Sequence, residues 1–288
     1  MKRIKFRHIV LQPPSRLADF APAAHYLLLG LFLLSSIAVA LRLYRPGWIS
    51  ADAVWPDGLL VLSAVATTLA ALARRLPAQN VVAVAVLIGV MFGGAQYLGA
   101  RYDIPFGPFT YADAPVRSQN ALPWIIPLVW LSILLNARGV ARLVLRPWRQ
   151  TRNYGFWQIG LSTLLVVLMD LGLQPFASKV NSYWTWKPTL LASTWYGAPW
   201  VNFLGRGVIT LLILAFVTPF LINKRPGKHS IDFHPFLVWT VVNFLFLTSA
   251  ATHGQTPATA VILAQTLIIA ALALAGSRRH TNSPPAST

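Results

Sequence analysis

The 288-residue chain contains no cysteine. Disulfides, thiolate catalysis and cysteine-ligated metals are therefore excluded. It also contains no glutamate. All seven acidic residues are aspartates: Asp19, Asp52, Asp57, Asp103, Asp113, Asp170 and Asp232. Charged residues of either sign make up only 11%, against roughly a quarter in ordinary soluble domains. A signal peptide is not expected, because the first apolar run is too long for one and lacks a cleavage pattern. Nucleotide-binding glycine loops, nucleophile elbows and helical histidine pairs are missing too, so no metal site is expected.

What fills the chain instead is apolar surface, 56% of residues, in runs that recur from end to end. Such runs of about 20 residues predict an all-α, polytopic transmembrane bundle. Eight spans are predicted, at 23–43, 54–73, 79–99, 122–145, 156–177, 198–221, 235–251 and 256–275. The seventh is short enough to be partly re-entrant. A single transmembrane domain, 23–275, then stands between a basic cytoplasmic segment, 1–22, and a polar tail, 276–288, expected to be disordered. The net charge of +17 could suggest nucleic acid. However, the basic residues sit mostly in short loops between apolar runs, so no nucleic acid partner is expected. Eight spans with a cytoplasmic N-terminus place 17 Lys and Arg residues inside and six outside, those near span ends being counted with the nearer side, and leave Arg206 deep inside a span. That bias places both termini in the cytoplasm. A bacterial cytoplasmic membrane is the expected location.

Two outer segments are long and aromatic, at 101–124 and 179–197. Interfacial Trp and Tyr can be membrane anchors. Yet Pro and Gly recur among the rings, which predicts shaped, non-helical loops. Beneath these loops lie the intramembrane polar residues. Asp170 and Arg206 fall at similar depths, roughly 10–12 Å below the outer ends of adjacent spans at 1.5 Å per residue. Asn202 shares a face with Arg206, four residues away. Gln96 lies near the outer end of the third span. Intramembrane charges usually pair, so an Asp170–Arg206 ion pair is expected, compatible with a polar cavity opening outward. Asp103 and Asp113, in the first aromatic loop, are either turn formers or further acids.

The segments "QYLGARYDIPFGPFTY", "LPWIIPLVW", "MDLGLQP", "YWTW" and "WYGAPWVNFLG" together resemble the carotenoid biosynthesis integral-membrane family. That family includes the CruF-type carotenoid 1,2-hydratases and bisanhydrobacterioruberin hydratase. The likeness runs from about Gln96 to Thr210. It marks Phe106, Gly107, Tyr111, Pro123, Asp170, Pro175, Trp184, Trp186, Tyr196, Gly197, Pro199, Asn202, Phe203 and Gly205. Two positions depart from it: the family usually has Glu where Gln96 stands, and commonly Trp where Arg206 stands.

The resemblance implies a hydratase that adds water to the terminal double bond of an acyclic carotenoid, of lycopene type or a C50 precursor. No cofactor is needed. Such a reaction requires a general acid, π-faces for a tertiary cation, a held water and an apolar path for the polyene. Asp170 or Asp103 would be the acid, and Asn202 and Gln96 would hold water. Phe106, Tyr111, Trp184, Trp186, Trp195, Tyr196, Phe203 and Arg206 would line the substrate. Other carotenoid enzymes and membrane lipid would be its partners. Two alternatives are a non-catalytic carotenoid- or isoprenoid-binding protein and a small-molecule transporter. A transporter predicts broken spans in paired positions and access from both faces, whereas the intramembrane charges here lie only in the outer half.

Overall fold

The computed structural model describes residues 15–45, 47–50, 53–112, 123–188, 194–222 and 231–278. Eight long helices dominate them: α1 (Ser15–Tyr44), α2 (Trp55–Ala73), α3 (Ala78–Tyr102), α4 (Ile125–Val144), α5 (Tyr154–Gln174), α6 (Trp200–Val217), α7 (His234–Thr252) and α8 (Thr256–Arg278). Each is long and apolar enough to cross a membrane, as the apolar runs predict. The seventh is a continuous helix of 19 residues, with no re-entrant break. α8 continues to Arg278, three residues into the stretch expected to be disordered. α1 begins at Ser15, inside the segment assigned to the cytoplasm. Residues 1–14, 279–288 and Asp113 lie outside the described residues.

α4 is the central helix. It is the most buried of the eight spans and packs against α2, α3, α5, α7 and α8. Small residues permit the closest crossings, as is usual between membrane helices. A Cβ on Gly139 would run into the Pro235 ring of α7, and one on Gly276 of α8 would run into the Leu143 carbonyl of α4.

The end of the bundle that the charge bias assigns to the outside carries four short strands. β1 (Phe109–Tyr111) pairs antiparallel with β2 (Trp184–Trp186), in the register Phe109–Trp186, Thr110–Thr185 and Tyr111–Trp184. The two long aromatic loops therefore join in one ribbon across the top of α3, α4 and α5. Side chains alternate faces along a strand. Phe109, Tyr111, Trp184 and Trp186 line one face, against the bundle. Thr110 and Thr185 occupy the other, their hydroxyls 3.0 Å apart in an exposed hydrogen bond. β3 (Thr194–Trp195) and β4 (Ala198–Pro199) form a minimal hairpin. Its two loop residues, Tyr196 and Gly197, both have positive φ, 52° and 92°, the signature of a type I′ turn.

The Pro- and Gly-rich stretch at 103–108 fits closely under this ribbon. Asp103, at φ 62°, ends α3 in the left-handed conformation. Phe106 packs so tightly against Gly99 that a Cβ there would lie 2.7 Å from its ring. Gly107, at φ 89°, lies against Pro199. Gly205 of α6 meets the Pro105 carbonyl, which would be 2.5 Å from an added Cβ. These three glycines draw α3, the 103–108 turn and α6 together at the outer end.

A partly buried ion pair braces the ribbon. Arg42 of α1 donates from Nη2 to Asp57 of α2 at 3.0 Å, to Asn181 Oδ1 at 2.8 Å and to Tyr183 Oη at 3.3 Å. Tyr183 directly precedes β2. Burial pushes its phenol up, and the Asp57 carboxylate beside it adds to the shift. Arg42, counted among the outer basic residues in the sequence, is thus a structural residue tying α1 and α2 to the roof.

The absence of native cysteine gives a direct test of orientation. Thr185→Cys is expected to react with a membrane-impermeant maleimide in intact cells, and Thr151→Cys only after lysis. The opposite pattern would invert the bundle.

Candidate functional site

Asp170 lies on the last full turn of α5 and is completely buried. An ionised carboxylate in that position requires hydrogen bonds or a counter-ion, and it has both. Gln174, four residues on and on the same helix face, donates from Nε2 to Oδ1 at 2.7 Å. Asn202 of α6 donates from Nδ2 to Oδ2 at 2.9 Å. Arg206, one turn further along α6, donates from Nε to Oδ2 at 3.4 Å. The expected ion pair is present. Gln174, Asn202 and Arg206 are all at most 3% exposed.

Directions in this network are fixed by groups that can only donate. The indoles of Trp184 and Trp186 both donate from Nε1 to Gln174 Oε1, at 3.1 and 3.0 Å. An indole N–H has no acceptor capacity, so the Gln174 amide must turn its nitrogen to Asp170. Arg206 Nη2 donates to Asn202 Oδ1 at 3.4 Å. Guanidinium is likewise donor-only, so the Asn202 nitrogen also faces Asp170. Gln96 obeys the same rule. With its oxygen toward Arg206, it accepts from Arg206 Nη2 at 3.1 Å and Trp130 Nε1 at 2.9 Å, and its nitrogen donates to Tyr111 Oη at 3.1 Å. This amide orientation satisfies all four groups. Asp170 is therefore met by donors on both oxygens and acts as a carboxylate.

The Arg206 guanidinium also stacks on two rings. Its Cζ is 3.6 Å from the Trp130 ring centroid and 4.2 Å from that of Phe106, close enough for cation–π attraction.

Gln96, Phe109, Tyr111, Trp130, Gln174, Trp184, Trp186, Asn202 and Arg206, with Ile126, enclose a cavity of about 10 Å³. That space suits a single water with several polar partners. The β1–β2 ribbon roofs it with its aromatic face. Asp170 does not line the cavity. It stands one layer behind, holding Gln174, Asn202 and Arg206, which do. Tyr111 is the titratable hydroxyl in the wall. Burial pushes its phenol up, with Arg206 pulling the other way, so it keeps its proton at neutral pH.

The candidate residues divide accordingly. Gln96, Tyr111, Trp184, Trp186, Asn202 and Arg206 meet at the cavity, with Asp170 and Phe106 directly behind. Asp103 does not join them. It is exposed and serves as the C-cap of α3, its N–H donating to the Gly99 carbonyl. There it does not line the cavity. Trp195 and Tyr196 also sit elsewhere. Pro175 has no N–H to offer the Leu171 carbonyl, and Trp195 Nε1 donates there instead, at 2.9 Å. Tyr196 Oη accepts from the Ala258 N–H in the first turn of α8 at 3.3 Å. Both aromatics therefore complete helix backbones. Phe203 is buried against Trp200 and outside the cavity wall.

Sequence reasoning missed Phe109, Ile126, Gln174 and Trp130 in the cavity wall. Gln174 carries a readable signal, because it lies four residues after Asp170 and just before Pro175. For Trp130 the only signal is its place within the family-like "LPWIIPLVW" stretch.

Eight apolar helices enclosing a polar site under an aromatic roof define a multi-pass membrane protein. The chain matches the family described as carotenoid biosynthesis protein over residues 57–271. It belongs to that family, which places its role in carotenoid biosynthesis. No curated protein and no solved structure matches it.

Removing the carboxylate charge isolates its structural part. Asp170→Asn leaves Arg206 buried without its counter-ion, and is expected to lower the stability of the detergent-solubilised protein by about 3–5 kcal/mol. The Asp170→Asn/Arg206→Leu double variant is expected to recover part of that loss. Thermal unfolding of the three proteins gives the comparison; equal stability of wild type and Asp170→Asn would refute the pairing argument.

Proposed function

We propose that the protein acts on the terminal isoprene unit of an acyclic carotenoid and adds water across its double bond. The observation that carries this reading is the water-sized cavity, walled by polar groups and π-faces under one aromatic ribbon. Family membership supports the carotenoid. The cavity is too small for an end group as it stands, so the ribbon must lift or shift for the polyene end to enter. Acyclic substrates of lycopene type or C50 length suit an entrance from the membrane's apolar interior.

The chemistry can be assigned to groups in the wall. The Tyr111 hydroxyl gives its proton to the less substituted carbon of the terminal double bond, leaving a tertiary cation. The ring faces of Trp184, Trp186 and Phe109 attract that cation. Water adds to it and forms a C–O bond. The surplus proton of the water returns to the Tyr111 phenolate, which becomes the wall's free acceptor at that moment. Atoms and charge balance, the net change is one added water, and no cofactor takes part. Gln96, through its N–H, and Arg206, through its charge, stabilise the transient phenolate. Asp170 acts here as a positioning residue, aligning Gln174, Asn202 and Arg206.

A second reading, binding without turnover, has one specific observation in its favour. The Arg206 cation already occupies the faces of Trp130 and Phe106, where the family commonly has Trp. A resident positive charge beside the cavity disfavours a second one forming there.

Expression in a lycopene-producing host separates the two readings. Hydration predicts a pigment heavier by one water, resolved by chromatography and mass analysis, and its loss in Tyr111→Phe. Unchanged pigment that co-purifies with the protein supports binding alone.

A further inference from the structure

We infer that the inner end of the bundle holds the phosphate group of an anionic ligand, between α4 and α5 at Arg138 and Arg142. This site lies at the opposite end from the aromatic cavity and does not rest on the function proposed there.

Most inner basic residues need no ligand. The charge bias of membrane topology accounts for them, and Arg74, Arg142 and Arg149 are exposed. Arg138 differs. It is only 6% exposed and sits about 9 Å from the inner end of α4, at 1.5 Å per residue. Among the described residues it makes no ion pair and no hydrogen bond. Its charged or titratable neighbours are Arg142, one turn on along α4, and Tyr154, the first residue of α5. A guanidinium keeps its proton in a protein, and buried charges are normally paired.

The chain has no anion to spare for it. Asp232, at this end, is already held by Arg75 at 3.5 Å. Asp19 lies on α1, which packs on α2 and α7. Residues 1–14, 223–230 and 279–288 contain no acidic residue. The other five aspartates belong to the outer end. The balancing charge therefore comes from outside the chain.

The groups around Arg138 are donors, as a phosphate requires. Arg142 brings a second guanidinium, whose fork matches phosphate oxygens. Gln158 lies one turn past Tyr154 on the same helix face. It is buried, and its Nε2 has no hydrogen-bond partner among the described residues. α5 begins here as well, and its N-cap Asn153 makes no side-chain cap hydrogen bond, so its first turn adds to the pull on an anion. A headgroup phosphate at the membrane surface would meet Arg142 first and Arg138 one turn deeper. Basic pockets between helices on the cytoplasmic side suit such headgroups.

Thermal unfolding of the delipidated full-length protein in detergent, titrated with phosphatidylglycerol, phosphatidylcholine or inorganic phosphate, tests the site. The wild type is expected to be stabilised by phosphatidylglycerol or inorganic phosphate over phosphatidylcholine. Arg138→Gln is expected to bind the same anion about tenfold more weakly. Arg142→Gln, at an exposed position, is expected to lose part of the affinity, and carries the test where Arg138→Gln does not fold. Arg149→Gln is expected to bind as the wild type does. A response to inorganic phosphate identifies a soluble ligand, and a response to phosphatidylglycerol alone a lipid headgroup; either supports the site. Equal losses in Arg149→Gln and Arg138→Gln would mean diffuse surface charge and overturn the inference. Unchanged affinity in Arg138→Gln, or in Arg142→Gln where it stands in, overturns it too, as does a wild type that responds to neither anion.

Discussion

The outer half of this protein is organised by one fully buried carboxylate. Asp170 cannot reach water, so its oxygens have to be met by protein donors, and the meeting fixes three side chains on two helices. Their orientation then spreads. Gln174 turns its oxygen up to the two roof indoles, and Arg206 turns its far side to Gln96 and through it to Tyr111. An interaction one layer below the cavity thus sets the polarity of the cavity itself. Buried ion pairs contribute little net stability against apolar replacements. This one is better understood as a specifier: it selects one set of amide orientations out of several that the same residues could adopt.

The two positions at which the chain departs from the family resemblance touch each other. Gln96 accepts from Arg206. The usual Glu and Trp at these positions would also be an acceptor and a donor-only group, so the direction of the contact is kept while its charge is changed. In this chain the cation is on α6 and its balancing anion is Asp170. The acceptor on α3 is neutral. A carboxylic acid at position 96 could supply a proton; an amide cannot. Under the hydration proposed above, proton donation would fall to Tyr111, the group that Gln96 contacts next.

The eight spans were legible because each is a long apolar run with charged loops at its ends, a signal that lies along the chain. The ion pair was legible for a related reason: two charges at equal depth in neighbouring spans have few partners besides one another. Gln174 was half legible, being four residues from Asp170. The ribbon was not. Strands of three residues carry almost no local pattern, and Phe109 meets Trp186 only after two more helices have been laid down. Nor could the chain's order show that Trp195 would replace a hydrogen bond lost at Pro175, or that Asp103 would cap a helix on the surface. In both cases the deciding fact is where a backbone group is left without a partner, and that depends on how the helices stop.

The roof of the cavity is made from two pieces that arrive far apart in time. Thr110 and Thr185, paired across the ribbon, are separated by 75 residues, and α4 and α5 lie between them. In chain order β1, with Phe109 and Tyr111, precedes its pairing strand by two whole helices. Its partner β2 follows only after α4 and α5. Gln174 emerges just ahead of the indoles that orient it. Closure over the polar cluster therefore requires both strands, and a chain ending before β2 lacks half of the roof.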